Sequence, residues 1–520
     1  MRKVIILTAE EAADLVKDGD TLCTSGFVGN SLAEGLNKAI EKRFLETGSP
    51  KNITLFYPAS QGFRNGTGGD HYAHEGLVKR VIAGHYNTAP KLGELCLANK
   101  CEGYNLPQGT LEYIIRDAAG HRPGTITHVG LGTFVDPRNG GGKINARTTE
   151  DLVELITIGG EEKLFYKAFP LNIAFLRGTY ADEYGNVTLE KEVATIEVTS
   201  IAQAVINNGG KVIVQVEKVV KGGTLDPRLV QIPGIYVHAV VEVADMKDHE
   251  QSVGQEFNPA MCGQVRQPVG DNVEITPLTN KKIIGRRAAM ELVKDTVVNL
   301  GVGTPEYVAQ VASEEGIASY MTLTVESGAI GGSPQGGARF GASLNPDAII
   351  DQNSQFDFYD GGGLDMAFLG LAECDEEGNI NVSKFGPKIP GCGGFINITQ
   401  NSKKVFFLGT FTAGGLKEKI EDGKLIIVQE GRQIKFTKQV EQVTFSGKYA
   451  VKTEQPVLYI TERAVFELKE DGLNLIEVAP GIDIQTQILD LMSFVPTIDK
   501  DLKIMDARLF NEESMNLKNG

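Results

Sequence analysis

The sequence predicts an α/β protein built as two homologous open α/β halves in one chain, with a strand-rich extension at its end. Three observations predict it. Strand and helix signals alternate along the chain, the pattern of parallel sheets with crossover helices. Two stretches of the first half recur in the same order in the second. The chain of 520 residues is too long for one ordinary core.

The elements follow from local chemistry. Thr8 with Glu11 forms a capping box that opens a helix over 9–17, and Gly19 ends it. Asp20 to Thr24 reads as a strand, Ser25-Gly26 as a turn, and helix signals resume from Ser31 to about Phe44. Asn52 to Tyr57 is the next strand. Leu106 to Thr110 (LPQGT) precedes a helix with Leu111, Ile114 and Ile115 on one face, which puts Gln108 on the entering loop. Met321 to Thr324 is of strand type, and Ile396 to Thr399 reads as a strand after the turn GCGGF. From about Lys438 alternating runs such as Val457 to Thr461 and Ala464 to Leu468 predict the strand-rich extension.

The repeats set the domain organisation. AADLVKDGDTLCTSGF (12–27) resembles AAMELVKDTVVNLGV (288–302), setting Gly26 on Gly301. FLRGTYADEYGNVTL (175–189) aligns with FLGLAECDEEGNINV (368–382), setting Asp182 on Asp375 and Gly185-Asn186 on Gly378-Asn379. The expected division is a first domain over 1–256, a Pro- and Gly-rich connector over 257–278, and a second domain over 279–520. With Thr54-Leu55 set on Thr322-Leu323, Pro58 falls where the second half has Glu326.

Composition excludes several classes. A formal charge of −16 argues against nucleic acid, which rewards basic surfaces. The opening MRKVIIL has too short an apolar run for a signal peptide, and no stretch approaches the roughly 18 apolar residues of a membrane span. The six cysteines are scattered without zinc-like pairing, so reduced thiols, a cytoplasmic location and no metal are expected. Gly140 to Lys143 continues with Ile144 and is no phosphate loop, and Gly301-Val302-Gly303 lacks the dinucleotide fingerprint. Chemistry not driven by ATP is expected.

The candidate site centres on TVESGAIGG, Thr324 to Gly332. A carboxylate, Glu326, stands where a strand runs into a glycine-rich turn, the place where open α/β folds bind ligands. The plain alternative is a surface Glu on an ordinary turn. The duplication favours function, because a proline replaces the carboxylate in the other half. Gln108 has an amide that can donate to an oxyanion, or that simply holds its loop. The backbone N–H groups of Gly391 to Phe395 are candidates for an anion-binding nest. Cys392 invites a nucleophile reading, but the nearest His in sequence is His249.

Glu326 in its E-x-G turn, PQGT around Gln108, LGVGTP at 300–305 and GCGGF at 391–395 together resemble the family I CoA-transferases. The runs GTYADEYGN, DFYDGGGLD and PGCGGFINITQN are most similar to the propionate CoA-transferases, which fuse two homologous subunits in one chain. One departure is visible: other branches carry S-E-N-G where this chain has V-E-S-G. The resemblance implies CoA-transferase-like domains of the NagB/RpiA type, the first alpha-subunit-like and the second beta-subunit-like. It implies that Glu326, ionised at pH 7 if unperturbed, attacks an acyl-CoA and becomes a glutamyl-CoA thioester, which a second short-chain acid discharges. It gives Gln108 and a backbone N–H near Gly393 and Gly394 to the oxyanion. It gives Gly301, Val302, Gly303, Thr304, Pro305 and Gly391 to CoA, and places the site between the halves. CoA is then a substrate with no tightly bound cofactor, the partners are acyl-CoA and short-chain carboxylic acids, and the assembly is a homo-oligomer, dimer or tetramer. Two other readings stay open: a Cys392-dependent acyl-CoA acyltransferase, and a non-catalytic CoA-binding protein.

Overall fold

The computed structural model describes residues 3–268 and 275–519, so Met1, Arg2, part of the expected connector (269–274) and Gly520 lie outside the described residues. The chain forms two compact units. The first comprises Met1–Gln267, Val325–Asp357 and Lys384–Asn397, and the second comprises Pro268–Thr324, Phe358–Ser383 and Ile398–Gly520.

The first unit is organised by an eight-stranded sheet in the order Ile5–Leu7, Ala239–Glu242, Lys211–Val216, Ile173–Arg177, Thr21–Thr24, Ile53–Tyr57, Val78–Ala83, Glu102–Asn105. Every neighbouring pair is parallel. The central strands Ile53–Tyr57 and Ile173–Arg177 are buried along their whole length, as strands covered on both faces must be. The capping box forms as expected, with Thr8 Oγ accepting from Glu11 N and the Glu11 carboxylate accepting from Thr8 N. The helix it opens is shorter than expected, Ala9–Ala13, and ends before Gly19, whose φ is +79°.

In the second unit the parallel strands run in the order Met321–Thr324, Thr296–Leu300, Met366–Gly370, Lys404–Leu408, Val457–Ile460. Ala464–Lys469, Gly472–Val478 and Thr497–Ile504 extend it, which is the strand-rich end expected from the sequence.

The duplication is visible strand by strand. Ile53–Tyr57, Thr21–Thr24, Ile173–Arg177, Lys211–Val216 and Ala239–Glu242 have the same order as the five parallel strands of the second unit. Phe175 pairs with Thr24 and Phe368 with Leu300, so setting Phe175 on Phe368 sets Leu22 on Val298. Leu22 pairs with Leu55 and Val298 with Leu323, which puts Pro58 at the position of Glu326. The same registers set Ser25, not Gly26, on Gly301, a one-residue correction of the first repeat. The turns of the second repeat also match. Asp182 accepts from the backbone N–H of Tyr184 and Asn186, and Asp375 from Glu377 and Asn379. Asn186 Oδ1 accepts from Gly234 N, and Asn379 Oδ1 from Gly447 N.

One expected strand is a helix. Phe395–Asn401 is α-helical, although Ile396, Ile398 and Thr399 favour strands. Ile396, Asn397, Ile398 and Thr399 are all buried, so no face is solvated and the alternation that a half-exposed strand needs is missing. Tertiary packing overrides propensity here.

Candidate active site

Glu326 stands on a turn that the surrounding segments fix tightly. Gly328 N donates to Val325 O at 3.0 Å, closing the turn, and Val325 N donates to Ala329 O at 2.9 Å. Ser327, fully buried, donates through its hydroxyl to Gly341 O. Gly328 has φ +111°, and a Cβ there would lie 1.9 Å from Ile350 O, so only glycine fits. Glu326 itself is partly buried.

Gln108 is brought to the same place by the helix Gln108–Ala119. The structure makes Gln108 the first helical residue, 4% exposed, rather than a loop residue. Pro107 starts the helix at φ −60°, and two of the N–H groups that a helix start leaves without partners find them in the glycine segment and the helix Phe395–Asn401 that follows it. Gln108 N donates to Gly393 O at 2.9 Å, and Gly109 N donates to Asn397 Oδ1 at 3.2 Å.

The segment Gly391–Gly394 is held from the other side by Asn105 and Gly84. Cys392 N donates to Asn105 Oδ1 at 3.0 Å and Gly393 N to Gly84 O at 2.7 Å. The N–H groups of Cys392 and Gly393 are thus committed, which corrects the expected nest and removes Gly393 N–H as a ligand donor. Gly394 N–H donates to no acceptor among the described residues. A Cβ built on Gly394 would lie 3.2 Å from Glu326 Cγ and 3.1 Å from Phe356 Cζ, so the carboxylate side chain runs directly past this glycine. One residue back, a Cβ on Gly393 would lie 3.7 Å from Gln108 Oε1. Gln108 Nε2 is buried and without a hydrogen-bond partner. Two unpartnered, buried N–H donors thus lie on this segment and its neighbour: Gly394 N–H directly beside the Glu326 side chain, and Gln108 Nε2 on the side chain that faces Gly393, all within the first unit.

Comparison with known proteins decides the family. The coenzyme A transferase family profile matches residues 6–243. Over 515 residues the chain is 47% identical to acetate CoA-transferase YdiF of Escherichia coli K12, covering 99% of this chain and 96% of that one. It is 49% identical over 512 residues to caffeate CoA-transferase of Acetobacterium woodii, covering 98% and 97%. The solved structure of the acyl-CoA transferase YdiF apoenzyme from E. coli O157:H7 superposes with a TM-score of 0.93 at 46% identity, covering 99% and 97%. Its thioester complex with CoA superposes at 0.92 and 45%, with the same coverage. The chain belongs to the coenzyme A transferase family. It is a CoA-transferase with two pseudo-duplicated α/β domains.

The electrostatics of this transferase bear on Glu326 as well. Burial raises its carboxyl from an ordinary 4.5 to about 7, so it is only about half ionised at neutral pH, not fully as an unperturbed Glu would be. Cys392 is 4% exposed, and its thiol donates to Gly84 O at 3.8 Å. Burial pushes the thiol well up, so it stays protonated and is a poor nucleophile.

His85 also lines the site and carries no sequence motif that announces it. It follows Gly84 at the end of the strand Val78–Ala83, and a Cβ on Gly393 would lie 3.7 Å from His85 Cδ2. Burial and then the Arg64 charge lower its pKa to about 4, so it is neutral.

Among the residues expected to hold CoA, Gly301 to Pro305 belong to the second unit, where they link Thr296–Leu300 to the helix Glu306–Glu314. A cavity of about 540 Å³ in the first unit, lined in part by Thr8, Lys38, Lys42, Gln215 and Asp248, includes none of the expected site residues. Its lysines already face carboxylates, Lys38 against Asp248 and Lys42 at 3.7 Å from Glu10.

Proposed function

We propose that the transferase moves CoA reversibly between a short-chain acyl-CoA, such as propionyl-CoA or acetyl-CoA, and a short-chain carboxylate by a ping-pong route through a glutamyl-CoA thioester on Glu326. The observation that carries this reading is a carboxylate in a fixed turn against Gly394, whose N–H has no partner among the described residues, with the unpartnered Gln108 amide facing the adjacent Gly393. Ionised Glu326 attacks the thioester carbonyl, and the carbonyl oxygen becomes an oxyanion. The two donors can stabilise it at little reorganisation cost, because neither has a hydrogen bond to give up. Collapse of the adduct expels CoA thiolate and leaves an acyl-glutamyl anhydride. The thiolate then attacks the Glu326 carbonyl, releasing the first acid and leaving Glu326 as the thioester of CoA. A second acid runs these steps backwards and departs as the new acyl-CoA. One thioester replaces another, so no nucleotide is consumed.

The relatives' names support CoA transfer between acids, and the thioester complex solved for YdiF supports the covalent intermediate. The loop from Gly301 to Pro305, with Gly391, is our candidate for CoA contacts. We read 1–256 as alpha-subunit-like, 257–278 as connector and 279–520 as beta-subunit-like, on the strength of the repeated strand order.

The test is to mix enzyme with acyl-CoA and no acceptor acid, then add borohydride. A glutamyl thioester is reduced to an alcohol, whereas a resting carboxylate is not. Mass spectrometry of the peptide containing TVESGAIGG should find the change on Glu326 only after acyl-CoA, and two-substrate kinetics should give parallel double-reciprocal lines. A label on Cys392, or intersecting lines with no adduct, would reject the mechanism.

A further inference from the structure

His85 is placed to act in the acid half of the reaction. Its ring lies beside Gly393, one residue further along the glycine segment from Glu326 than Gly394. The Gln108 side chain faces the same glycine. The other side of the ring is anchored: His85 Nδ1 is 2.9 Å from Ser60 Oγ, and Ser60 Oγ is hydrogen-bonded to Thr88 Oγ1. Two proton arrangements satisfy this chain. If the imidazole donates, the protons run from His85 to Ser60 to Thr88, and the Thr88 hydroxyl hydrogen is left with no acceptor among the described residues. If Thr88 donates to Ser60 and Ser60 to Nδ1, every proton in the chain is used. The second arrangement puts the ring proton on Nε2, facing away from Ser60.

The surroundings favour an anion there. Arg64 lies close enough for its charge to act on His85. Its Nε donates to Asn87 O at 2.9 Å, and its backbone is fixed at φ +59° with Arg64 N donating to Thr88 O. Arg64 forms no ion pair with a carboxylate among the described residues. An exposed cation near His85 attracts carboxylates toward it. An imidazole without charge donates a hydrogen bond there without locking Glu326 into an ion pair.

We propose that His85 Nε2–H binds the carboxylate oxygen of the acid substrate that does not attack, orienting the other oxygen toward the Glu326 thioester. This assignment rests on Glu326 being the nucleophile.

The test uses two substitutions that separate the ring nitrogens. His85→Gln keeps a neutral donor near the Nε2 position, and His85→Asn keeps only the bond to Ser60. The glutamyl-CoA enzyme is formed with acyl-CoA, freed of excess, and discharged with increasing acetate. His85→Gln should discharge within about threefold of wild type. His85→Asn should need about 10- to 100-fold more acetate for half-maximal discharge, the usual cost of one hydrogen bond to a charged group. Borohydride-trapped Glu326 should still form in both variants once acyl-CoA is in large excess. Wild-type acetate dependence in His85→Asn, or equal impairment of both variants, would overturn the assignment while leaving Glu326 in place. Absence of trapped Glu326 in the wild type would overturn both.

Discussion

In the proposed mechanism Glu326 reacts only when ionised, and the fold works against that form. Its folded pKa of about 7 lies above the ordinary 4.5, so between these values the folded chain keeps a proton that the unfolded chain has lost. Stability from this group is therefore greatest below about pH 4.5 and falls as pH rises through about 7. The shift corresponds to at most about 3 kcal/mol, less to the extent that the partly exposed carboxylate stays hydrated. Glu326→Gln should accordingly abolish transfer yet unfold at a higher temperature than wild type at pH 8, with the two converging near pH 4.5. A lower melting temperature for the variant at pH 8 would contradict the burial argument. In the wild type, kcat/KM for acyl-CoA should fall about tenfold per unit below an apparent pKa near 7. A profile flat from pH 5 to 8 would mean an unperturbed carboxylate. Gln108→Ala should lower turnover by about 10²- to 10³-fold, the cost of one oxyanion donor, with little change in CoA affinity. Weakened CoA binding at normal turnover would make Gln108 a binding residue instead. At this scale the sequence was informative where chemistry leaves a signature. A lone carboxylate among glycines and an amide beside a proline can both be read in a string. The commitment of Gly393 N–H to Gly84 O cannot, because it depends on a segment some 300 residues away.

Two elements hold these residues, and each tolerates little. The Glu326 turn requires Gly328, because a Cβ at φ +111° would collide with Ile350 O. Gly328→Ala should cost about 3 kcal/mol or more through strain and displaced backbone, and should lower activity along with stability. A thermally normal, fully active variant would show that the turn is softer than its geometry implies. Gly394→Ala is different in kind. Its φ is not in the left-handed region, so the backbone accepts alanine, but the new methyl would press on Glu326 Cγ and Phe356 Cζ. It should fold normally and lose most of its turnover, measured against the unchanged melting temperature. The helix Phe395–Asn401 shows why such elements resist reading from sequence. Its isoleucines promise a strand, yet Asn397 is needed to accept from Gly109 N at the start of the Gln108 helix. A partner distant in sequence decides the conformation.

At the scale of the whole chain, the repeat was legible because it is written in turn chemistry, which depends on neighbours in sequence. Asp182-x-x-Gly185-Asn186 and Asp375-x-x-Gly378-Asn379 fold into the same turn, with Gly185 at φ +86° and Gly378 at φ +76°. The compact units were harder to foresee, since Val325–Asp357 and Lys384–Asn397 fold with residues of the first 267. No local pattern records such an exchange of segments. The matched turns allow a comparison between the units. Asp182 accepts from the N–H of Tyr184, Asn186 and Gly223 and from the Asn186 amide. Asp375 accepts from the N–H of Glu377, Asn379 and Val440 and from the Asn379 amide. Both aspartates are almost fully buried, so removing either leaves the same set of donors without an acceptor. Asp182→Ala and Asp375→Ala should each destabilise by about 2–4 kcal/mol. By hydrogen exchange, Asp182→Ala should loosen Tyr180–Asp182 and Val187–Thr188, and Asp375→Ala should loosen Glu373–Cys374 and Ile380–Asn381, to comparable degrees. If one substitution were silent and the other severe, the two turns would share a shape without sharing a structural role, and the repeat would survive in the second unit only as ancestry.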